Sequence, residues 1–439
     1  MQQCDTLILA GWCLPVDPDD RVLADHGVVI DDGRIVDLLP AARARQQYTA
    51  SVLIERPGHV LIPGLVNTHT HAAMTLFRGF GDDLPLERWL RERIWPAEQR
   101  WVSAEMVRDG TRHAIAEMLK SATTCFSDQY FFPEMVAEAA QEAQIRAVVG
   151  TPVIDFPTPW SRNGAECLSK AAALVHDRYA NDPLISSCFA PHSTGTVSDE
   201  TFAALRMTSD QLDKRVQIHL HESAAEIADE VRASGKRPFE RLWDLGLVNA
   251  SLLAVHGVHL ADEELDRCAV RGVAVAHCPR SNLKLASGIA DVAKMCAAGV
   301  RVAIGTDGAA CNNTLDLLRE MQTACLLAKA VSRDAHAVPA ATALRMATID
   351  GAAALGLQDD IGSIEGGKSA DLACIDLHTL NSQPVYDPLS QLVYTAAASQ
   401  VSDVWVAGRH LVDRGLLTRL DQEEILARSA EWQQRIAAA

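Results

Sequence analysis

Apolar and polar positions along the chain fall into two textures. Residues 1 to about 57 carry short apolar stretches, TLILAGWCLPV and GVVIDDGRIVDLL, broken by turn residues, with Asp32 and Gly33 placed as a two-residue hairpin turn. From residue 61 the texture changes to short apolar runs separated by helical stretches, the pattern of parallel strands joined by crossover helices. Eight such runs can be counted: LIPGLVN (61–67), ATTCFSD (122–128), RAVVGTPVI (146–154), LISSCFA (184–190), VQIHL (216–220), LLAVH (252–256), VAVAH (273–277) and VRVAIG (300–305). Between the first two, Val107, Ala114, Ile115 and Met118 recur at helical spacing after Ser103, a residue suited to capping a helix.

Eight β/α units predict an α/β fold of the (β/α)8 TIM-barrel type. Beyond residue 338 a helical stretch rich in small residues, PAATALRMATIDGAAALGL, leads into a second β-like region from Ile361 to about Val412. Both chain ends are thus β-rich, and since small separate sheets are marginal, they are expected to meet as one. The expected division is residues 1–60 and 361–420 as a composite β-sandwich, 61–360 as the barrel, and 421–439 as a C-terminal surface helix.

Composition changes this picture little. The 439 residues are 48% hydrophobic and 22% charged, ordinary for a globular protein with a large core. A formal charge of -17 argues against nucleic acid as a partner, because phosphate recognition needs a basic stripe. Eleven cysteines, an odd number without a CxxC pair, suggest reduced thiols rather than a disulfide framework or a zinc knuckle. The N-terminus lacks a signal-peptide pattern and no run reaches membrane-spanning length, so the expected location is cytoplasmic with no membrane partner.

The candidate chemistry sits at the carboxyl ends of the predicted strands, where barrel enzymes place their active sites. Strand one ends in Asn67-Thr68-His69-Thr70-His71, and alternation along a strand turns His69 and His71 to one face. Strand five ends in His219-Leu220-His221-Glu222, strand six in His256, and strand eight in Gly305-Thr306-Asp307. An isolated HxH pair is more often packing than ligation, but further buried imidazoles and carboxylates at neighbouring strand ends need partners of their own. Imidazole nitrogen with carboxylate oxygen suits Zn2+ in a mononuclear site, with Fe2+ as the alternative.

The stretches PGLVNTHTHAAMTLFRG, HLHES, AVHGVHL and IGTDGAACNNTLDLLREM, followed by IGSIEGGKSADL, resemble the amidohydrolase superfamily, specifically its 5'-methylthioadenosine/S-adenosylhomocysteine deaminase branch, over nearly the whole chain. The resemblance implies metal ligation by His69, His71, His219 and Asp307, with Glu222 as proton shuttle and His256 holding or polarising the attacking water. Strand four, LISSCFA, lacks the lysine that two-metal members carboxylate, so one zinc per subunit is expected. The implied reaction is attack of activated water on purine C6, with Asp307 accepting the water proton, Glu222 protonating N1 and ammonia leaving.

For substrate, the resemblance points to Glu98 in IWPAE on the ribose hydroxyls and to His192 in APHS. Relatives that hold the amino-acid tail of S-adenosylhomocysteine carry arginines after strand three, where this chain has Thr151; Arg162 in PWSRNG is the remaining candidate. With Trp89, Phe156 and Trp160 as possible neighbours of a methylthio group, the balance tips toward methylthioadenosine. His221 is expected to pack or support a neighbour, and Cys311, Asn312, Asn313 and Arg78 to shape structure. His59, His113 and His176 are read as ordinary residues.

Two other readings compete. A related hydrolase of a free aminated or chlorinated heterocycle (guanine, cytosine or an s-triazine) would share the metal motifs but have no use for Glu98. An inactive barrel scaffold would be expected to have lost ligands that this chain retains. The family resemblance also implies a homo-oligomer, a dimer or a tetramer.

Overall fold

The computed structural model describes residues 1–18, 21–174 and 178–438. Four strands open the chain: β1 (Gln2–Cys13), β2 (Leu23–Asp31), β3 (Arg34–Pro40) and β4 (Tyr48–Pro63). Eight parallel strands follow: β5 (Leu65–Thr70), β6 (Thr123–Gln129), β7 (Arg146–Val153), β8 (Ile185–Pro191), β9 (Val216–Leu220), β10 (Leu252–His256), β11 (Ala274–His277) and β12 (Arg301–Ile304). They pair in sequence order and make the barrel. β5, β6, β7, β9 and β10 are buried along their whole length, because helices cover them outside while side chains fill the barrel inside.

Between the last strand and the first, side chains help to close the ring. Thr68 Oγ1 donates to the Ile304 carbonyl at 2.9 Å, Asn67 Nδ2 donates to Thr306 Oγ1 at 2.8 Å, and the Asp307 amide donates to the His69 carbonyl at 3.0 Å. Ser103 caps the helix Ala104–Lys120 by accepting from Met106 N, and Val107, Ala114, Ile115 and Met118 are buried, as the periodicity predicts.

The remaining strands are β13 (Leu372–Asp376), β14 (Val401–Val406), β15 (Arg409–Asp413) and β16 (Leu416–Leu417). They join the first four in one mixed sheet of order β16-β15-β14-β13-β4-β1-β2-β3, so the two chain ends meet at β4 and β13. The sheet curls over a core of Ile8, Ile30, Ile35, Leu61 and Trp405 until the β2–β3 hairpin reaches residues beside β13, with Ala370 N donating to Gly33 O at 2.9 Å. Asp32 and Gly33 turn that hairpin at φ 47° and 73°, left-handed values that a primed two-residue turn requires.

Two details differ from the sequence reading. The run LIPGLVN is divided: Leu61–Pro63 pairs with β13, and only from Leu65 does the chain enter the barrel. Gly64 makes the crossing, donating its amide to Asp371 O at 2.8 Å, and a Cβ there would stand 2.1 Å from Thr124 Oγ1. The second β-like region contains a helix, Pro388–Tyr394, capped by Asp387. The terminal helix Gln422–Ala437 docks on Ala104–Lys120, burying Trp432 and Ile425, with Trp432 Nε1 donating to Asp109 Oδ2 at 2.9 Å. Among the described residues no helix is long and apolar enough to cross a membrane.

Arg146, at the base of β7, fastens barrel to sheet: Nε and Nη2 reach the Asp371 carboxylate at 2.9 and 3.2 Å, and Nη1 reaches Pro183 O at 3.0 Å. Arg146 and Asp371 side chains are 5% and 1% exposed, so removing one strands the other's charge away from water. Arg146→Leu is expected to lower stability by about 3–5 kcal/mol, read as a shift in urea midpoint. Arg34→Leu, which breaks the exposed pair with Asp360, should leave the midpoint nearly unchanged.

Candidate active site

Asn67, His69 and His71 alternate onto the inner face at the carboxyl end of β5. Across the barrel, β9 delivers His219, and the three imidazoles form a buried to half-buried cluster whose ligand atoms lie within 4.8 Å of one another. His71 Nδ1 is 2.5 Å from the Gln129 carbonyl and His219 Nδ1 is 2.8 Å from the His192 carbonyl. A carbonyl only accepts, so both rings carry their proton on Nδ1 and turn Nε2 lone pairs inward. His219 and His69 Nε2 face each other at 3.3 Å, and Asp307 Oδ1 lies 3.3 Å from His71 Nε2 and 3.6 Å from His69 Nε2. Lone pairs and a carboxylate aimed at one point repel unless a cation sits among them, so this donor set fits a metal ion of the zinc type.

The electrostatics agree. Burial pushes His69 down to about 4 and His219 well below the usual imidazole range, with neighbouring imidazoles adding to both shifts. Asp307 stays ionised: burial opposes it, but His69, His71 and His256 hold its carboxyl well below the ordinary range. Asp307 and His256 have φ of 63° and 72°, left-handed values that cost an L-residue energy and here aim both side chains inward. Their surroundings enforce this: Asp307 Oδ1 takes the Gly308 amide at 2.7 Å, and the next residue after His256, Gly257, bonds Leu220 O at 3.1 Å.

Glu222 and His256 stand beside the cluster, Glu222 Oε2 lying 3.7 Å from His256 Nε2. Burial raises the Glu222 carboxyl, and the Asp307 charge raises it further against the pull of His256. The result is a carboxyl able to hold a proton and give it up, next to an imidazole that Glu222 and Asp307 hold above its usual range despite burial. Glu226, one turn on, accepts the Glu222 amide at 3.0 Å and is pushed up to about 7 by burial and by Glu222.

The other predicted residues divide. His192 stacks obliquely on His219 with ring centroids 5.0 Å apart, and burial takes it down to about 4, leaving a neutral ring. Glu98, on the helix Trp95–Trp101, accepts from Tyr130 Oη at 2.8 Å and is raised to about 7 by burial. Tyr130 in turn lies beside His71, with rings 6.3 Å apart, which ties Glu98 to the cluster. Arg162 is not brought in: its side chain is 86% exposed and paired with Glu166 at 2.7 Å, the spacing of adjacent helical turns. Thr151 is buried and donates to Cys188 O at 3.0 Å. Trp89 and Trp160 pack into the barrel core, while Phe156 is half exposed.

His221 packs as expected, wholly buried against Glu264 and accepting from Phe239 N at 3.2 Å. Asn312 Nδ2 donates to Thr306 O and to Glu320, and Arg78 pairs with Glu117, so both shape loops. His113 bonds Ser429 and His59 is partly buried near Asp376; His176 lies outside the described residues.

Several residues escaped the sequence reading. Asp128, at the end of β6, accepts from Thr70 Oγ1 at 3.0 Å and Ala72 N at 2.6 Å, clasping His71 from both sides. His277 ends β11, buried and lowered to about 3, and the helix that follows it supplies Ser281 to Asp307 at 2.6 Å and Asn282 to His256 at 2.9 Å. The criterion that singled out His256, a polar residue at a strand's carboxyl end, applies equally to Asp128 and His277.

The sequence matches the Amidohydrolase family over residues 60–411. It is 47% identical to a 5-methylthioadenosine/S-adenosylhomocysteine deaminase of Teredinibacter turnerae over 98% of this chain and 97% of that one, and 41% identical to a 5'-deoxyadenosine deaminase of Methanopyrus kandleri over 96% and 97%. A crystal structure of a Xanthomonas campestris adenosine deaminase with bound zinc superimposes with a TM-score of 0.98 at 49% identity, covering 100% of both chains. The chain belongs to the amidohydrolase family and, within it, to the 5-methylthioadenosine/S-adenosylhomocysteine deaminases.

Proposed function

We propose that the chain is a zinc-dependent deaminase of adenine nucleosides, with His69, His71, His219 and Asp307 holding one metal ion. The observation that carries the reading is the juxtaposition of Glu222, raised and able to donate a proton, with ionised Asp307 across a ring of inward-facing imidazole nitrogens. Zinc, when bound, brings the pKa of a water molecule toward neutrality and so supplies the nucleophile. Asp307 takes the water proton as oxygen adds to purine C6, and Glu222 protonates N1 so that charge does not accumulate on the ring. The C6–N bond then breaks, the amine leaves as ammonia with a proton returned from Asp307, and the C6 hydroxyl gives its proton to Glu222, which restores that carboxyl and leaves the C6 carbonyl of the inosine-type product.

Neutral His192 and Glu98 fit substrate contacts, the Glu98 carboxyl accepting from the two ribose hydroxyls in the form it takes above about pH 7. A threonine where relatives would need an arginine, and an Arg162 turned to solvent, favour a methylthio group over a homocysteine tail at the 5' position. A cytoplasmic homo-oligomer, dimer or tetramer, completes the reading. The eleven free cysteines fit a reducing compartment.

Zinc-loaded protein is expected to release ammonia from methylthioadenosine, S-adenosylhomocysteine and adenosine with the absorbance change of inosine formation, methylthioadenosine being turned over best. Glu222→Gln should lower kcat by about 10²–10⁴-fold. Activity confined to guanine, cytosine or a triazine would sink the nucleoside reading and leave the metal site standing. Because a carboxyl raised to about 7 is neutral below that pH, KM for nucleoside should rise as pH falls through 7, and Glu98→Gln should abolish that dependence. Asp128→Ala should weaken zinc binding about 10–100-fold in a chelator competition, by releasing the His71 loop.

A further inference from the structure

Two adjacent side chains on the short helix Pro279–Lys284 each hold one of the groups that flank the reacting position. Ser281 and Asn282 are 0% and 1% exposed. Ser281 Oγ donates to Asp307 Oδ2 at 2.6 Å, which leaves Oδ1 toward His69 and His71. Asn282 Oδ1 lies 2.9 Å from His256 Nδ1. An amide oxygen only accepts, so this bond places a proton on Nδ1 and presents Nε2 on the Glu222 side, 3.7 Å from Oε2. The same amide keeps Nδ2 buried with no hydrogen-bond partner among the described residues. The helix is itself anchored: the Arg280 amide donates to buried Glu320 at 3.2 Å, and Glu320 also takes Asn312 Nδ2 at 2.9 Å, in the loop that follows Asp307.

We propose that Ser281 and Asn282 are positioning residues for the deamination. Asn282 fixes the protonated nitrogen of His256, and Ser281 holds the Asp307 carboxylate in the orientation that keeps one oxygen facing the imidazole cluster. This rests on the deaminase reading, and it adds that one dipeptide sets both groups at once. Without Asn282 the ring, once neutral, is free to carry its single proton on Nε2, and the Nδ1 proton that Asn282 holds in place is no longer fixed. Without Ser281, Asp307 Oδ2 loses its hydrogen-bond donor and the carboxylate is held only at Oδ1, by the Gly308 amide.

The test combines spectroscopy with kinetics. In zinc-loaded protein labelled with 15N at histidine, two-bond 15N–1H correlations report which ring nitrogen is protonated, the His256 signals being identified by their loss in His256→Asn. At a pH high enough for the ring to be neutral, the single proton is expected on Nδ1 in the wild type and on Nε2 in Asn282→Leu; a wild-type ring whose only proton is on Nε2 overturns the proposal. Asn282→Leu and Ser281→Ala should each lower kcat about 100-fold with KM within about threefold and zinc retained, whereas Asn282→Asp and Ser281→Thr, which keep the hydrogen bonds, should recover to within about tenfold of wild type. Wild-type kcat in both disruptive variants also overturns it. Should Asn282→Leu fail to fold, Ser281→Ala carries the kinetic arm. If the wild type deaminates no adenine nucleoside, the functional reading fails, while the ring protonation of His256 still decides this inference.

Discussion

Barrel closure between β12 and β5 is made as much by side chains as by backbone, and the site is built on that seam. Asn67 grips Thr306, Thr68 reaches the Ile304 carbonyl, and the Asp307 amide bonds the carbonyl of His69 itself. Residues more than two hundred positions apart are thereby fixed within bonding distance. The left-handed backbone at Asp307 is tolerable because the seam over-determines it. A carboxylate held in this way stays ionised beside imidazoles that burial keeps neutral, and that asymmetry of charge is what a cation and a nucleophilic water require.

Electrostatic work elsewhere in the site runs the other way. Burial raises Glu222, and it raises Glu226 and Glu98 to about 7, whereas Asp307 is held down by its imidazole neighbours. The chain's surplus of acidic residues therefore says little about the site, where depth and neighbours decide the state of each group.

Much of this was legible in the sequence because strand periodicity and strand-end chemistry are local signals. VQIHL and LLAVH are strands over the expected residues, and His69, His71, His219, Glu222, His256 and Asp307 converge. What stayed hidden depends on partners remote in sequence. Gly64 looks like an ordinary strand interruption until Thr124 is seen against it, and only then does LIPGLVN divide between sheet and barrel. Arg162 is the exception, a local one: it precedes the helix cap Asn163, and its pairing with Glu166 in the first turn of that helix leaves it facing solvent although it lies close in sequence to a strand end. Asp128 and Asn282 show their purpose only through Ala72 and His256, contacts that no spacing rule supplies.

The pairing of β4 with β13 joins residues about 310 apart. During synthesis the first four strands leave the ribosome long before their partners, so β4 offers an unsatisfied edge throughout the translation of the barrel. The sheet is complete only when nearly the whole chain has emerged, and Arg146 cannot neutralise Asp371 until then. The edge of β4 that β13 covers in the finished fold thus stays open for most of the chain's synthesis, and of barrel and sheet, the sheet is the last that can close.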